Sequence, residues 1–132
     1  MADISDDHRQ HLAFIQDVIT RINSNSFSLK GLMITIISAL AALFVDNDDK
    51  AIYLMIAFLL VLLFWFLDAY YLKMEKQYRM LYEDAVKKKV ELYKMTADDY
   101  YVCYFEVLFT KTMWPLYLPI SLALIFTIIF VK

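Results

Sequence analysis

The chain alternates between apolar blocks and stretches that carry nearly all of its charge. Three blocks hold almost no charged side chain: residues 27–45, 51–71 and 113–132. At a rise of 1.5 Å per residue, each block is about 30 Å long as a helix, which matches the hydrocarbon thickness of a bilayer. The pattern therefore predicts three transmembrane helices, with a short outer loop at residues 46–50 between the first two.

Residues that break helices are scarce. The sequence contains one glycine and two prolines, and residues 32–114 contain neither. A bilayer admits only helices or closed barrels, and no stretch shows the ten-residue alternation typical of barrel strands. We therefore expect an all-α membrane protein with three transmembrane helices, an N-terminal amphipathic helix and a long cytoplasmic extension of the second span.

The N-terminal segment, residues 1–26, has its own helical pattern. Ser5 is a candidate N-cap, and Asp6 and Asp7 complement the helix dipole in the first turn. Apolar residues then recur at helical spacing, as an amphipathic helix requires: Leu12, Ile15, Ile19 and Ile22. The polar residues 23–26 compete for backbone hydrogen bonds, so we expect the helix to end there, before the first span.

The second span has no stop signal where it leaves the membrane. Residues 72–112 are predicted to hold a long helix that continues to about residue 93, followed by an interfacial segment at residues 96–110. Spacings of four and three form a seam typical of a coiled coil: Leu67, Tyr71, Met74, Tyr78, Leu81, Ala85, Lys88 and Leu92. The aromatic residues suited to the interface are Tyr100, Tyr101, Tyr104, Phe105 and Phe109.

Composition and charge agree with a membrane protein and suggest an orientation. Apolar residues make up 61% of the chain, against about half in a soluble domain. Basic residues concentrate between spans two and three, which the positive-inside rule assigns to the cytoplasm. We therefore expect a bacterial inner-membrane protein with a cytoplasmic N-terminus and a periplasmic C-terminus. The acidic start has no basic region before an apolar core, so no cleavable signal peptide is expected.

Few residues are candidates for catalysis, metal binding or disulfide formation. Phosphate loops, nucleophile elbows and zinc-protease motifs are all missing from the sequence, so we expect neither an enzyme nor a cofactor. His8 and His11 share a helix face, but two nitrogens are a weak metal site, and no metal is predicted. The one cysteine, Cys103, cannot form an internal disulfide.

Two features of the spans are candidates for function. Small and hydroxyl-bearing residues form a stripe on the first span, suited either to helix packing or to lining a pore in an oligomer: Gly31, Thr35, Ser38 and Ala42. Asp68 lies near a membrane boundary, where burying a carboxylate costs free energy unless it is paired with a cation or hydrated. Its candidate partners are Lys73, Arg21 and Lys30; structural pairing and a gating role both remain open. Glu75 and Arg79 are spaced for an i,i+4 ion pair beyond it.

Two stretches resemble a family of small bacterial three-helix membrane proteins. The first comprises FIQDVITR at residues 14–21 and NSFSLKG at residues 25–31. The second is FWFLDAYYL at residues 64–72, followed by Glu75, Tyr78, Arg79, Leu81 and Tyr82. Family members are similar to membrane effectors of antiphage defence, including SLATT-type effectors and the channel effector of the Hailong system.

This resemblance implies a homo-oligomeric channel, a tetramer, kept closed until infection. It further implies control by a nucleotide oligomer, made by a partner nucleotidyltransferase, that engages the N-terminal helices. There the candidate phosphate contacts are His8, Arg9 and His11. Residues 1–26 carry no basic stripe, so a duplex nucleic-acid partner is not expected.

The leading hypothesis is therefore an ion-conducting effector in contact with lipid and with copies of itself. The competing hypothesis is a non-conducting membrane scaffold that anchors a soluble partner, because both share the same topology.

Overall fold

The computed structural model describes residues 5–46 and 48–131. These residues form four α-helices and no strand: α1 (Asp6–Asp46), α2 (Lys50–Val86), α3 (Tyr104–Leu108) and α4 (Trp114–Val131). Three of them, α1, α2 and α4, are long and apolar enough to cross a membrane. The predicted fold class, an all-α membrane protein with three membrane-spanning helices, is confirmed. The parts of the predicted segments that fall on residues 1–4, 47 and 132 lie outside the described residues.

The N-terminal segment and the first span are one helix. α1 runs without interruption for 41 residues, so the predicted end at residues 23–26 is wrong. Asparagine and serine cost only about 0.5 kcal/mol each in a helix relative to alanine, and packing easily outweighs such a preference. Here Ile22 before these residues and Met33 after them are both buried. The Ser26 hydroxyl donates a hydrogen bond to Asp68 of α2 rather than competing for the backbone of its own helix.

The second span does continue well beyond its apolar block, as predicted. α2 is 37 residues long, but it ends at Val86 and not near residue 93. The chain turns away because Lys88 and Tyr93 adopt left-handed backbone angles, with φ of 56° and 63°. The last turn is closed by the Lys87 N–H, which donates to the carbonyls of Ala85 and Glu83.

A first cluster of buried side chains joins the three spans and α3. α2 packs against α1 along one side and against both α3 and α4 elsewhere. We call this cluster the span core: Met33, Val61, Phe64, Ala69, Val107, Leu108, Met113 and Tyr117. Trp65 ties α3 to α2, because its indole N–H donates to the Leu108 carbonyl at 3.1 Å.

A second cluster lies beyond the spans, between the N-terminal part of α1 and the far end of α2. We call it the extramembrane core: Ile15, Ile19, Leu81, Ala85 and Ala97. Leu81 and Ala85 both belong to the predicted coiled-coil seam, and the helix that packs against them is α1 of the same chain.

The segment between α2 and α4 makes turns and then forms α3. Its residues Tyr101, Phe105 and Phe109 are strongly exposed, at 85%, 72% and 62%. Tyr100 instead packs against the extramembrane core, where its hydroxyl donates to Asp84 at 2.8 Å. Tyr104 is also partly covered, and its hydroxyl donates to the Phe66 carbonyl.

Candidate functional site

A fully buried carboxylate lies where the three spans meet. Asp68 on α2 has no exposed surface. Its Oδ2 lies 2.5 Å from the Lys30 ammonium of α1 and accepts a hydrogen bond of 2.8 Å from the Tyr117 hydroxyl of α4. Its Oδ1 accepts a hydrogen bond from the Ser26 hydroxyl. One side chain thus receives donors from both of the other membrane-spanning helices.

The ends of three apolar blocks place this cluster at a membrane boundary. On α1 the polar residues 23–26 give way to an apolar sequence, and on α2 the apolar stretch ends at Asp68. On α4 the apolar stretch begins near Trp114, a residue type enriched at the membrane interface. Asp68 on α2 accepts hydrogen bonds from Ser26 of α1 and from Tyr117 of α4. The three transitions from polar to apolar sequence therefore lie at the same depth along the membrane normal.

The polar groups of this cluster pair with one another because a buried charge requires it. Lys30 is 24% exposed, and its ammonium donates to Ser26 at 3.0 Å as well as contacting Asp68. A buried charge is tolerated only when it is paired and its other lone pairs are satisfied. Asp68 meets both conditions, so the cluster fixes the relative positions of α1, α2 and α4.

Of the three candidate partners predicted for Asp68, one pairs with it. The structure brings Lys30 to the carboxylate, while no ion pair joins Arg21 or Lys73 to it in the described part of the chain. Ser26 and Tyr117 were missed. Ser26 was assigned a helix-ending role, and nothing in the sequence alone indicates which residue of α4 lies level with Asp68.

A pocket of about 290 Å³ opens beside the ion pair. Its wall includes Lys30 and Asp68 together with Asn23, Glu75 and Thr112. The predicted pair of Glu75 with Arg79 is confirmed, with 2.5 Å between Oε1 and the guanidinium nitrogen. The Glu75 side chain is 13% exposed and that of Arg79 62% exposed, so the pair reaches from the pocket wall to the surface.

The small-residue stripe of α1 lies on the surface. Gly31, Thr35, Ser38 and Ala42 are all exposed, and a Cβ placed on Gly31 would meet no atom within 4 Å. The hydroxyls of Thr35 and Ser38 donate to their own helix, at the carbonyls of Gly31 and Ile34. Among the residues that the structure describes, the stripe therefore makes no helix-packing contact at Gly31, and its hydroxyls are satisfied locally.

Two of the three predicted phosphate contacts, His8 and His11, line one pocket of about 230 Å³ together with Lys88, and Arg9 is not among its lining residues. His8 and His11 are buried, at 7% and 1% exposed, whereas Arg9 is exposed. The His11 ring Nε2 lies 2.8 Å from the Lys94 carbonyl and donates to it. His11 thus holds the segment after α2 against α1, and Arg9 is the exposed residue among the three candidates.

Comparisons with family models, with curated proteins and with solved structures found no match for this chain. Within residues 5–46 and 48–131, no three metal-binding side chains come together.

Proposed function

We propose that this protein is an oligomeric, ion-conducting membrane effector in which copies of α1 line the conducting path. The proposal is supported by the face of α1 that points away from the span core, which we call the outward face. Across the span, this face bears small and hydroxyl-bearing residues, all exposed: Ser28, Gly31, Thr35, Ser38 and Ala42. On the opposite side of α1, Met33 is completely buried in the span core.

The chemistry of this face favours a protein or water neighbour over lipid. Large apolar side chains flank it, with Leu32 at 52% and Ile34 at 54% exposed, and these suit contact with acyl chains. Between them, glycine and hydroxyl residues permit close backbone approach of a second helix or hydration of a narrow path. A single chain leaves this face uncovered, so conduction requires several copies; the family resemblance suggests four.

The N-terminal half of α1 is the proposed control element. It belongs to the same helix as the span, so a ligand that shifts it also acts on the conducting face. The resemblance suggests a nucleotide oligomer as that ligand, with exposed Arg9 as its contact. The concentration of lysine and arginine between α2 and α4 supports a cytoplasmic position for this half in a bacterial inner membrane.

Conduction is tested by reconstituting the purified protein in liposomes and measuring ion flux. Gly31→Leu is the informative variant, because a Cβ added at this exposed position meets no atom of the described residues within 4 Å. We expect it to leave the fold intact, to reduce self-association and to lower flux at least tenfold. Leu59→Phe is the matched control, since it adds bulk at a 62% exposed position of α2 and should change neither property.

The scaffold hypothesis makes a different prediction. A stable oligomer that shows no flux under any gating condition, with wild-type assembly in Gly31→Leu, would support a non-conducting anchor and refute the channel. The defence role is tested separately, by following membrane potential in cells during phage infection. A channel effector should depolarise infected cells, whereas an unchanged potential and unchanged plaque numbers would contradict that role.

A further inference from the structure

The pocket beside Asp68 has features of a site for a lipid headgroup. It lies at the level where three spans pass from apolar to polar sequence, so it opens into the headgroup region of a bilayer. Phe27, Leu72 and Met113 line it together with the polar residues, and Phe27 is 79% exposed. A ligand here would have an apolar part against Phe27 and a polar part in the pocket.

Several hydrogen-bond donors in this pocket are free. A lysine ammonium has three N–H donors, and Lys30 directs two of them to Asp68 and Ser26. Among the described residues, the side chains of Asn23 and Thr112 make no hydrogen bond, and both line the pocket. Together these groups supply donors suited to the oxygens of a phosphate.

The charge of the wall argues against a purely anionic ligand. Among the lining residues, Lys30 is balanced by Asp68, and Glu75 is balanced by Arg79 from outside the wall, so no net positive charge remains for an anion. Asp68 is saturated by its three partners, but Glu75 engages only one oxygen, Oε1, with Arg79. The second oxygen of Glu75 remains an acceptor, which suits a positively charged donor.

We propose that this pocket binds a phospholipid whose headgroup carries both a phosphate and a primary ammonium. The phosphate accepts hydrogen bonds from Lys30, Asn23 and Thr112, and the ammonium donates to Glu75. A primary ammonium has N–H donors for the carboxylate, whereas a quaternary ammonium has none. An ethanolamine headgroup therefore fits better than choline, which lacks the donors, or glycerol, which lacks the charge.

The proposal is tested by titrating the detergent-solubilised full chain with short-chain lipids of three headgroups, ethanolamine, choline and glycerol, and counting bound lipid by native mass spectrometry. We expect the ethanolamine lipid to bind at least tenfold more tightly than the other two. Glu75→Gln should abolish this preference. Glu83→Gln, on the same helix but outside the pocket, is the matched control and should retain it.

A second variant tests the phosphate contact without disturbing the ion pairs. Thr112 is exposed, so Thr112→Val should leave folding unchanged. This variant should weaken the binding of all three lipids severalfold while keeping the order of their affinities. Equal binding of the three lipids by the wild type, or an unchanged preference in Glu75→Gln, would overturn the proposal. So would an unaltered affinity in Thr112→Val.

Discussion

Asp68 shows how a single charged residue is accommodated at a membrane boundary. Its carboxylate receives an ion pair from Lys30 and hydroxyl donors from Ser26 and Tyr117. The sequence indicated that a carboxylate at a membrane boundary needs a partner, and Lys30 was one of the three candidate partners. The hydroxyl partners could not be predicted, because they depend on how far each span slides relative to the others, and no sequence periodicity encodes that offset.

Asp68→Asn should destabilise the protein by about 3 kcal/mol, the low end for a broken buried pair, because the Lys30 ammonium that loses its counter-charge is only partly buried. Unfolding in mixed micelles measures this. The double variant Lys30→Met with Asp68→Asn should regain part of the loss, since no unpaired charge remains. Asp17→Asn, at an exposed position of α1, is the control. Equal losses in the single and double variants would contradict this account.

Tyr100 gives a pH dependence at the alkaline end. Burial, followed by its hydrogen bond to Asp84 and the charge of that carboxylate, raises the pKa of Tyr100 to about 12 from its ordinary value of 10.0. Because the folded-state pKa is higher than the unfolded one, the stabilisation is complete below about pH 10 and is lost as the pH rises through about 12.

The measurement is unfolding in micelles at several pH values in that window. The wild type should lose stability more steeply than Tyr100→Phe, which cannot ionise at this position. Tyr101→Phe is the control, because Tyr101 is 85% exposed. If wild type and Tyr100→Phe share one slope, the hydroxyl of Tyr100 is not coupled to folding.

At the scale of elements, the continuity of α1 is the main departure from the sequence-based prediction. Residues 23–26 were predicted to end a helix because asparagine and serine compete for backbone hydrogen bonds. In the folded chain, packing on either side of them keeps the helix intact. The apolar blocks were predictable because their lengths match a bilayer, whereas helix ends at polar residues depend on contacts with other elements.

Substitutions at Asn25 test this continuity, because its side chain is exposed. Asn25→Pro removes a helical hydrogen bond and should cost about 3 kcal/mol. Asn25→Ala should stabilise the protein by about 0.5 kcal/mol, since alanine is the better helix former. Unfolding in micelles compares the two variants. A proline variant as stable as the wild type would show that α1 is already interrupted at this position.

The extramembrane core also changes how the N-terminal segment should be tested. Ile15 and Ile19 cover Leu81 and Ala85 of α2. Deleting the first 22 residues would therefore expose apolar surface on α2 as well as remove the proposed control element. Substitutions on the outward side of α1, such as Arg9→Ala, separate these two effects because they leave the core covered.

At the scale of the whole molecule, α2 contacts both neighbouring spans and leaves the outward face of α1 uncovered. In the proposed assembly this face continues at helical spacing from Ala42 to exposed Asp46 at the end of the helix. Several copies would form a ring of carboxylates at one mouth of the path, and such rings favour cations.

Asp46→Asn should therefore lower the preference for cations over anions severalfold, without changing assembly. Reversal potentials in asymmetric salt across a planar bilayer measure this preference. Asp49→Asn is the control, because Asp49 lies beyond the end of α1. A wild-type channel that prefers anions, or an unchanged selectivity in Asp46→Asn, would show that the outward face of α1 does not line the path.

The unbroken length of α1 has a mechanical consequence. Its 41 residues form a rod of about 61 Å, roughly twice the thickness of the hydrocarbon layer. The Ser26–Asp68 contact lies near its middle. A tilt of about 10° about that point displaces each end by about 5 Å, given 1.5 Å per residue. Movement imposed on one side of the membrane thus reaches the other with similar amplitude and opposite direction.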